Sequence, residues 1–224
     1  MIVRLRLPDR IAACLFDLDG VLTRTAEVHA AAWKQTFDLF LRRRSAGGEE
    51  DRSPFDAEHD YAAYIDGRPR HDGVRAFLAA RGIALPEGSP GDPPTAETVH
   101  GLARRKNELV QELIARDGVA AYEGSVRLLA AIREAGMACA LVTSSENAGA
   151  ILRAAGLEHT FGATVDGVIA HDLGLAGKPA PDFFLEAARR LGVAPADAAV
   201  FEDALAGVAA GRAGGFGLVV GVDR

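Results

Sequence analysis

The chain has 224 residues, of which 49% are hydrophobic and 25% are charged, and its formal net charge at pH 7 is -6. This length allows one domain with a large core, or an ordinary domain that carries a smaller one. The acidic balance and the absence of a long basic run argue against nucleic acid or an anionic membrane as a partner. No stretch reaches the roughly 20 apolar residues of a membrane span or resembles a signal peptide, so we expect a cytoplasmic monomer.

Short apolar runs that end in polar residues mark the predicted strands. Residues 11–17 form the first run and end in Asp17, which is typical of a strand buried on both faces. Three further runs end at Thr143, at the acidic pair Glu202–Asp203, and near the C-terminus at 217–222. Helix-like stretches separate them at 125–135, 147–155, 181–191 and 204–213. This alternation predicts an α/β fold with a parallel, Rossmann-like sheet and helices on both of its faces.

Residues 25–118 interrupt that alternation. Apolar residues recur there at helical spacing, for example in 25–44 and 96–118, and no buried strand is apparent. We therefore predict a small all-helical domain inserted after the first strand. The predicted domains are 1–24 with 119–224 as the core, and 25–118 as the insertion.

The two cysteines lie inside apolar runs. Cys14 belongs to the first predicted strand and Cys139 to the second. We expect both to be buried and reduced, which suits a reducing compartment.

Several oxygen-bearing side chains follow the predicted strands. In a parallel sheet the carboxyl ends of the strands face one crevice, so Asp17, Asp19, Thr143, Glu202 and Asp203 are expected to converge. Clustered carboxylates repel one another unless a cation compensates or one of them is protonated. A hard cation with oxygen ligands resolves the conflict, and Mg²⁺ is the ion that prefers few carboxylates together with water and phosphate.

Other interpretations of the Asp17–Asp19 segment are available. Asp-x-Asp-Gly is also a common turn, with no catalytic meaning. A calcium-binding loop is excluded, because its sixth position would be Leu22 instead of glycine and its twelfth Val28 instead of glutamate. A lysine-bearing phosphate loop of the Walker type is absent from the sequence.

Four segments in this order resemble the motifs of the haloacid dehalogenase-like phosphotransferase superfamily: DLDGVLT, ALVTSS, GKPAPDFF and VFEDALAG. The resemblance implies that Asp17 is a nucleophile that becomes an aspartyl phosphate, and that Asp19 is the general acid and base. It also implies that Lys178 balances charge on the transferring group. Thr143 and the backbone N–H groups after it would bind the phosphoryl oxygens.

The resemblance further implies a Mg²⁺ site. Asp17, Asp203 and Glu202 would supply carboxylate oxygens, and Asp19 its backbone carbonyl. Taken singly, Glu202 and Asp203 are also ordinary acidic residues before a helix, and Lys178 is an ordinary surface lysine. Their joint occurrence at the strand ends favours the catalytic interpretation.

The insertion resembles the small helical cap of the β-phosphoglucomutase-like family. This resemblance assigns phosphosugar binding to six residues, three in the cap and three after the second strand: His29, Arg70, Lys106, Ser144, Ser145 and Asn147. The guanidinium fork of Arg70 suits a phosphate group, although isolated surface charges would look the same.

The expected activity is Mg²⁺-dependent transfer that converts β-glucose 1-phosphate into glucose 6-phosphate through the 1,6-bisphosphate. Two residues depart from the family pattern: Arg24 stands where an acidic residue is common, and Glu146 where a lysine is frequent. A sugar-phosphate phosphatase, in which water is the acceptor, is therefore the alternative. A phosphosugar-binding protein without activity is a third possibility, against which Asp17 and Asp19 both argue because they are retained.

Overall fold

The computed structural model describes residues 7–44 and 51–223. Its strands are β1 (Ala13–Phe16), β2 (Ala138–Val142), β3 (Ala163–Val165), β4 (Ala198–Glu202) and β5 (Leu218–Gly221). Its α-helices are α1 (Thr25–Arg43), α2 (Arg70–Ala80), α3 (Val99–Asp117), α4 (Glu123–Glu134), α5 (Ala148–Ala154), α6 (Gly167–Leu173), α7 (Asp182–Leu191) and α8 (Leu205–Ala213). A π-helical turn at Tyr61–Ile65 and a 3-10 turn at Pro195–Asp197 complete the regular structure of the described ranges.

The sheet is parallel and has the strand order β3-β2-β1-β4-β5. The central strand β1 is completely buried, and its Phe16 is level with Leu141 of β2 and Phe201 of β4. Asp17 therefore leaves the sheet beside Glu202, the last residue of β4. The predicted α/β class and parallel sheet are confirmed.

One strand and one helix were not predicted from the sequence. Strand β3 has only three residues, and two of them are half-buried, so it carries no continuous apolar run. Helix α6 follows at once, and its first turn is capped by the Asp166 side chain, which accepts a hydrogen bond from the Ile169 N–H at 2.9 Å. Both elements lie in the stretch between the predicted second and third strands.

Helix α7 packs its apolar face on the sheet. Its buried residues Phe183, Phe184, Ala187 and Ala188 recur at the spacing of one helix face. They belong to the same buried cluster as Leu15 and neighbouring strand residues. Burying each phenylalanine side chain contributes about 1.5–3 kcal/mol, so this helix is a major source of the stability of the sheet unit.

The chain divides into two compact units. The first comprises the residues up to Thr25 and those from Val119 onward, and the second comprises Ala26–Gly118. The second unit is helical and contains no strand within its described residues. No helix in the described ranges is long and apolar enough to cross a membrane.

An aromatic cluster holds the helical unit together. The ring of Phe37 on α1 lies 5.0 Å from that of Trp33, 4.1 Å from that of Phe77 on α2, and 5.3 Å from that of Phe55. Helix α3 begins where the extended residue Thr98 accepts a hydrogen bond on its side chain from the Gly101 N–H at 2.9 Å. The predicted helix 96–118 therefore begins three residues later than its apolar pattern indicated.

Two segments of the first unit pair with each other after β1 and before α4. Thr23 forms a bridge with Ala121, the Arg24 N–H donates to Ala120 at 2.9 Å, and the Tyr122 N–H donates to Leu22 at 2.9 Å. The Arg24 guanidinium also lies over the Tyr122 ring, 4.9 Å from its centre. The family-atypical arginine is thus part of the pairing between these two segments.

Candidate active site

A buried ion-pair cluster lies at the carboxyl end of β1. The Lys178 ammonium donates to Oδ1 of Asp17 and to Oε1 of Glu202, each at 2.7 Å. All three side chains are almost inaccessible to solvent. Lys178 belongs to the loop between α6 and α7, and its peptide bond to Pro179 is cis. The sheet supplies two members of the cluster and a loop supplies the third.

Burial and neighbouring charges determine the protonation of this cluster. Burial raises the pKa of Asp17, Lys178 lowers it, and the nearby carboxylates of Glu202, Asp203 and Asp19 raise it further. Burial by itself would lower the pKa of Lys178, but the carboxylates of Asp17 and Glu202 outweigh it and hold that pKa above its ordinary value. Lys178 is therefore a permanent cation, and Asp17 needs further positive charge to stay ionised.

Glu202 is fixed by hydrogen bonds on both oxygens. While Oε1 accepts from Lys178, Oε2 accepts from the N–H groups of Asp203 at 2.8 Å and Ala204 at 3.2 Å. The side chain lies directly against Gly207 of α8, where an added Cβ would overlap its carboxylate. A glycine at this position is thus required for the observed orientation of Glu202.

The carboxylates form a plausible cation site. One oxygen from each of Asp17, Glu202 and Asp203 lies within 4.8 Å of the others. One lysine cannot neutralise three carboxylates, and a divalent ion with oxygen ligands fits both the charge and the donor atoms. Gly20 is needed here too, because it has φ +87° and an added Cβ would overlap the Asp203 carboxylate.

Asp19 is held apart from this cluster by a hydroxyl pair. It is half-buried, and its Oδ1 accepts a hydrogen bond from the Thr25 hydroxyl at the start of α1. The oxygens of Thr25 and Thr23 are 2.7 Å apart, and the Thr23 hydroxyl also lies 3.2 Å from the Leu18 carbonyl. The sequence argument did not single out Thr25, although a hydroxyl at the first position of the helix that follows Asp19 was the available signal.

The turn after β2 orders the predicted phosphoryl-binding residues. Thr143 is buried, and its hydroxyl oxygen accepts from the Ser145 N–H at 3.1 Å. The Ser145 hydroxyl accepts in turn from the Asn147 N–H at 3.1 Å, and Asn147 begins α5. Ser144 lies between them and is half-buried. Since a hydroxyl that accepts from an N–H keeps its own proton for another acceptor, this turn suits an anion.

The helical unit brings together two of its predicted residues. Lys106 of α3 and Nδ1 of His29 on α1 are 2.8 Å apart, and both side chains are buried. A charged lysine can only donate, so Nδ1 is the acceptor and the proton of the neutral ring is on Nε2. The Lys106 ammonium also lies 5.1 Å from the centre of the Trp33 ring. Arg70 is the half-buried first residue of α2.

Comparisons with known proteins agree with these features. Residues 11–215 match the family model for haloacid dehalogenase-like hydrolases. The chain is 52% identical over 220 residues to a β-phosphoglucomutase of Mycobacterium bovis, covering 98% of this chain and 84% of the relative. The β-phosphoglucomutase structure from Clostridium difficile superposes with a TM-score of 0.74 at 25% identity, covering 96% of this chain and 85% of the other.

A ligand-bound structure is also similar. The structure of CbbY from Rhodobacter sphaeroides, in complex with xylulose 1,5-bisphosphate, has a TM-score of 0.71 and 26% identity, covering 95% of this chain and 87% of the other. Structural relatives of this fold therefore bind phosphosugars.

Proposed function

The chain belongs to the haloacid dehalogenase-like hydrolase family, and within it we propose that the protein is a β-phosphoglucomutase. It converts β-glucose 1-phosphate into glucose 6-phosphate through the 1,6-bisphosphate. The observation that carries this proposal is the 52% identity to the mycobacterial β-phosphoglucomutase over 98% of the chain. The buried cluster around Asp17 supports it from the geometry.

The chemistry has two half-reactions on Asp17. A carboxylate oxygen of Asp17 attacks the phosphorus of the bisphosphate, and the bond from phosphorus to the sugar oxygen breaks. Asp19 gives its proton to the leaving sugar oxygen. In the second half-reaction Asp19 removes a proton from a hydroxyl of the next sugar, and that oxygen takes the phosphoryl group from Asp17. Lys178 offsets the negative charge throughout.

A divalent cation belongs to the same proposal. Asp17, Glu202 and Asp203 would hold Mg²⁺ by their carboxylates, and Asp19 by its backbone carbonyl. When bound, Mg²⁺ supplies positive charge that offsets the carboxylates and the transferring phosphoryl group. The chain's own contribution is to fix Glu202 through two N–H groups and Lys178, so that the site is ordered in advance.

The substrate-binding residues are also part of the proposal. Thr143 and the turn after it would receive the phosphoryl oxygens, and the sugar phosphate would contact the residues named from the resemblance: His29, Arg70, Lys106, Ser144, Ser145 and Asn147. Under this proposal the sheet unit is the catalytic core and the helical unit is the cap. A cytoplasmic, monomeric enzyme completes it.

A sugar-phosphate phosphatase is the second candidate, because the family model is that of hydrolases. In that reaction water takes the place of the second sugar hydroxyl as the acceptor of the phosphoryl group. The core residues would have the same roles, so only the acceptor distinguishes the two activities.

Product analysis by phosphorus NMR separates the candidates. The protein is incubated with β-glucose 1-phosphate, Mg²⁺ and a trace of glucose 1,6-bisphosphate, with the Asp17→Asn variant as the blank. The mutase proposal predicts glucose 6-phosphate in an amount equal to the substrate consumed. Free phosphate without glucose 6-phosphate would instead identify a phosphatase, and binding without either product would identify a non-catalytic protein.

A further inference from the structure

A small open cleft lies on the helical unit, away from the His29–Lys106 pair. Three segments line it: the C-terminal half of α1, residues 94–97, and the first half of α3. Its floor is apolar and includes the buried side chains of Phe40 and Leu102. Its charged lining residues are Arg43, Arg105 and the exposed Glu97.

Arg105 has an unused donor in this cleft. Its Nε atom is buried and has no hydrogen-bond partner among the described residues. Leaving a buried N–H donor without an acceptor costs free energy, because the donor has lost its water. Burial lowers the pKa of Arg105, and the positive charge of Arg43 lowers it further. Two guanidinium groups therefore lie close enough to repel each other.

Nearby carboxylates do not neutralise this pair. Glu108 is the carboxylate that acts on Arg105, but it forms an ion pair with Arg104, whose Nε is 3.3 Å from Oε1. Neither Arg43 nor Arg105 forms an ion pair within the part of the chain that the structure describes. The guanidinium of Arg44 adds further positive charge, because it lies over the Phe40 ring at 5.5 Å.

We propose that this cleft binds a phosphate group, free or as an ester, between the guanidinium groups of Arg43 and Arg105. Two planar forks can each offer paired N–H donors to one tetrahedral anion, which would remove the repulsion and satisfy Arg105 Nε. An apolar floor with cations at its edge fits neither a metal ion nor a cationic ligand. The site shares no residue with the proposed active site, so it stands independently of the proposed function.

Side-chain NMR of the arginines tests the proposal directly. Inorganic phosphate is titrated into ¹⁵N-labelled protein, and the Nε–Hε signal of Arg105 is assigned by its absence in Arg105→Gln. The signal should shift along a saturating curve, and sodium chloride of equal ionic strength should not reproduce the shift. Arg43→Gln should raise the dissociation constant at least about tenfold. Arg42→Gln is the matched control, because Arg42 is exposed in the same helical turn and does not line the cleft.

The outcomes decide between binding and non-specific screening. A linear shift that chloride reproduces, or equal effects of Arg42→Gln and Arg43→Gln, would overturn the proposal. A titration with glucose 6-phosphate identifies the source of the phosphate. Tighter binding than inorganic phosphate assigns the site to an ester, and weaker binding assigns it to the free ion.

Discussion

The ammonium of Lys178 and Oδ1 of Asp17 lie 2.7 Å apart, although 161 residues separate them in the chain. Both side chains are buried, and the same ammonium also contacts Glu202. In a buried pair each charge depends on the other, because removing one partner leaves an uncompensated charge out of water.

Replacing this lysine should therefore affect both activity and stability. We expect Lys178→Met to lower kcat by about 10²–10³-fold, the usual effect of removing one electrostatic contact to a transition state. It should also lower the free energy of unfolding by about 3–5 kcal/mol, as expected when a buried pair is broken. Lys34→Met is the control, because Lys34 is 45% exposed and its ion pair with Asp38 lies at the surface. Similar losses in both variants would contradict the assigned role.

The contact between Gly207 and Glu202 gives a second prediction. Gly207→Ala places a methyl group on the Glu202 carboxylate, so the carboxylate must move away from Lys178 and the two N–H groups. We expect a higher Mg²⁺ concentration for half-maximal activity, measured by metal titration after chelation. Gly124→Ala is the matched change in α4, where the added methyl has room. An unchanged metal requirement in Gly207→Ala would count against Glu202 in the cation site.

The Thr25 hydroxyl is predicted to position Asp19. Thr25→Val keeps the shape of the side chain but removes the hydrogen bond to Asp19 Oδ1. We expect kcat to fall about tenfold, because the carboxylate loses a contact of roughly that energy. Thr36→Val on the same helix removes only a local hydrogen bond to the Ala32 carbonyl at 2.8 Å and should leave kcat unchanged. Equal kcat values for the two variants would refute a positioning role for Thr25.

The cysteines are expected to be unreactive in the native protein. Cys14 and Cys139 are unbridged, buried and level with each other on β1 and β2. Burial raises the pKa of Cys14 to about 12, with a further contribution from Cys139, and burial also raises the pKa of Cys139. Because the thiolate is the reactive form, a disulfide reagent at pH 8 should titrate neither thiol until the protein is unfolded, and then both. Rapid reaction of the folded protein would contradict this burial.

Much of the fold could be predicted from the sequence, because buried parallel strands have continuous apolar runs. The run 11–17 became β1, and 198–203 became β4, each ending within one residue of the predicted polar terminus. Strand β3 could not be predicted in this way, since three residues at the edge of a sheet bury too little surface to leave a pattern.

The site was predicted only in part. Asp17, Glu202 and Asp203 converge because they follow neighbouring parallel strands, which strand-end reasoning anticipates. Lys178 lies on a loop, so only the family resemblance pointed to it. The Thr25–Asp19 contact and the proximity of Arg43 to Arg105 depend on how segments pack, and spacing along the chain does not report that.

The central claim is that Asp17 itself carries the phosphoryl group between sugars. The direct measurement is mass spectrometry of peptides from protein mixed with glucose 1,6-bisphosphate and Mg²⁺ and quenched in acid within the first turnover. The account predicts one added phosphoryl group on Asp17, none in Asp17→Asn, and loss of the label when glucose 6-phosphate is added before the quench. A phosphoryl group on a different residue, or turnover by Asp17→Asn at the wild-type rate, would contradict it.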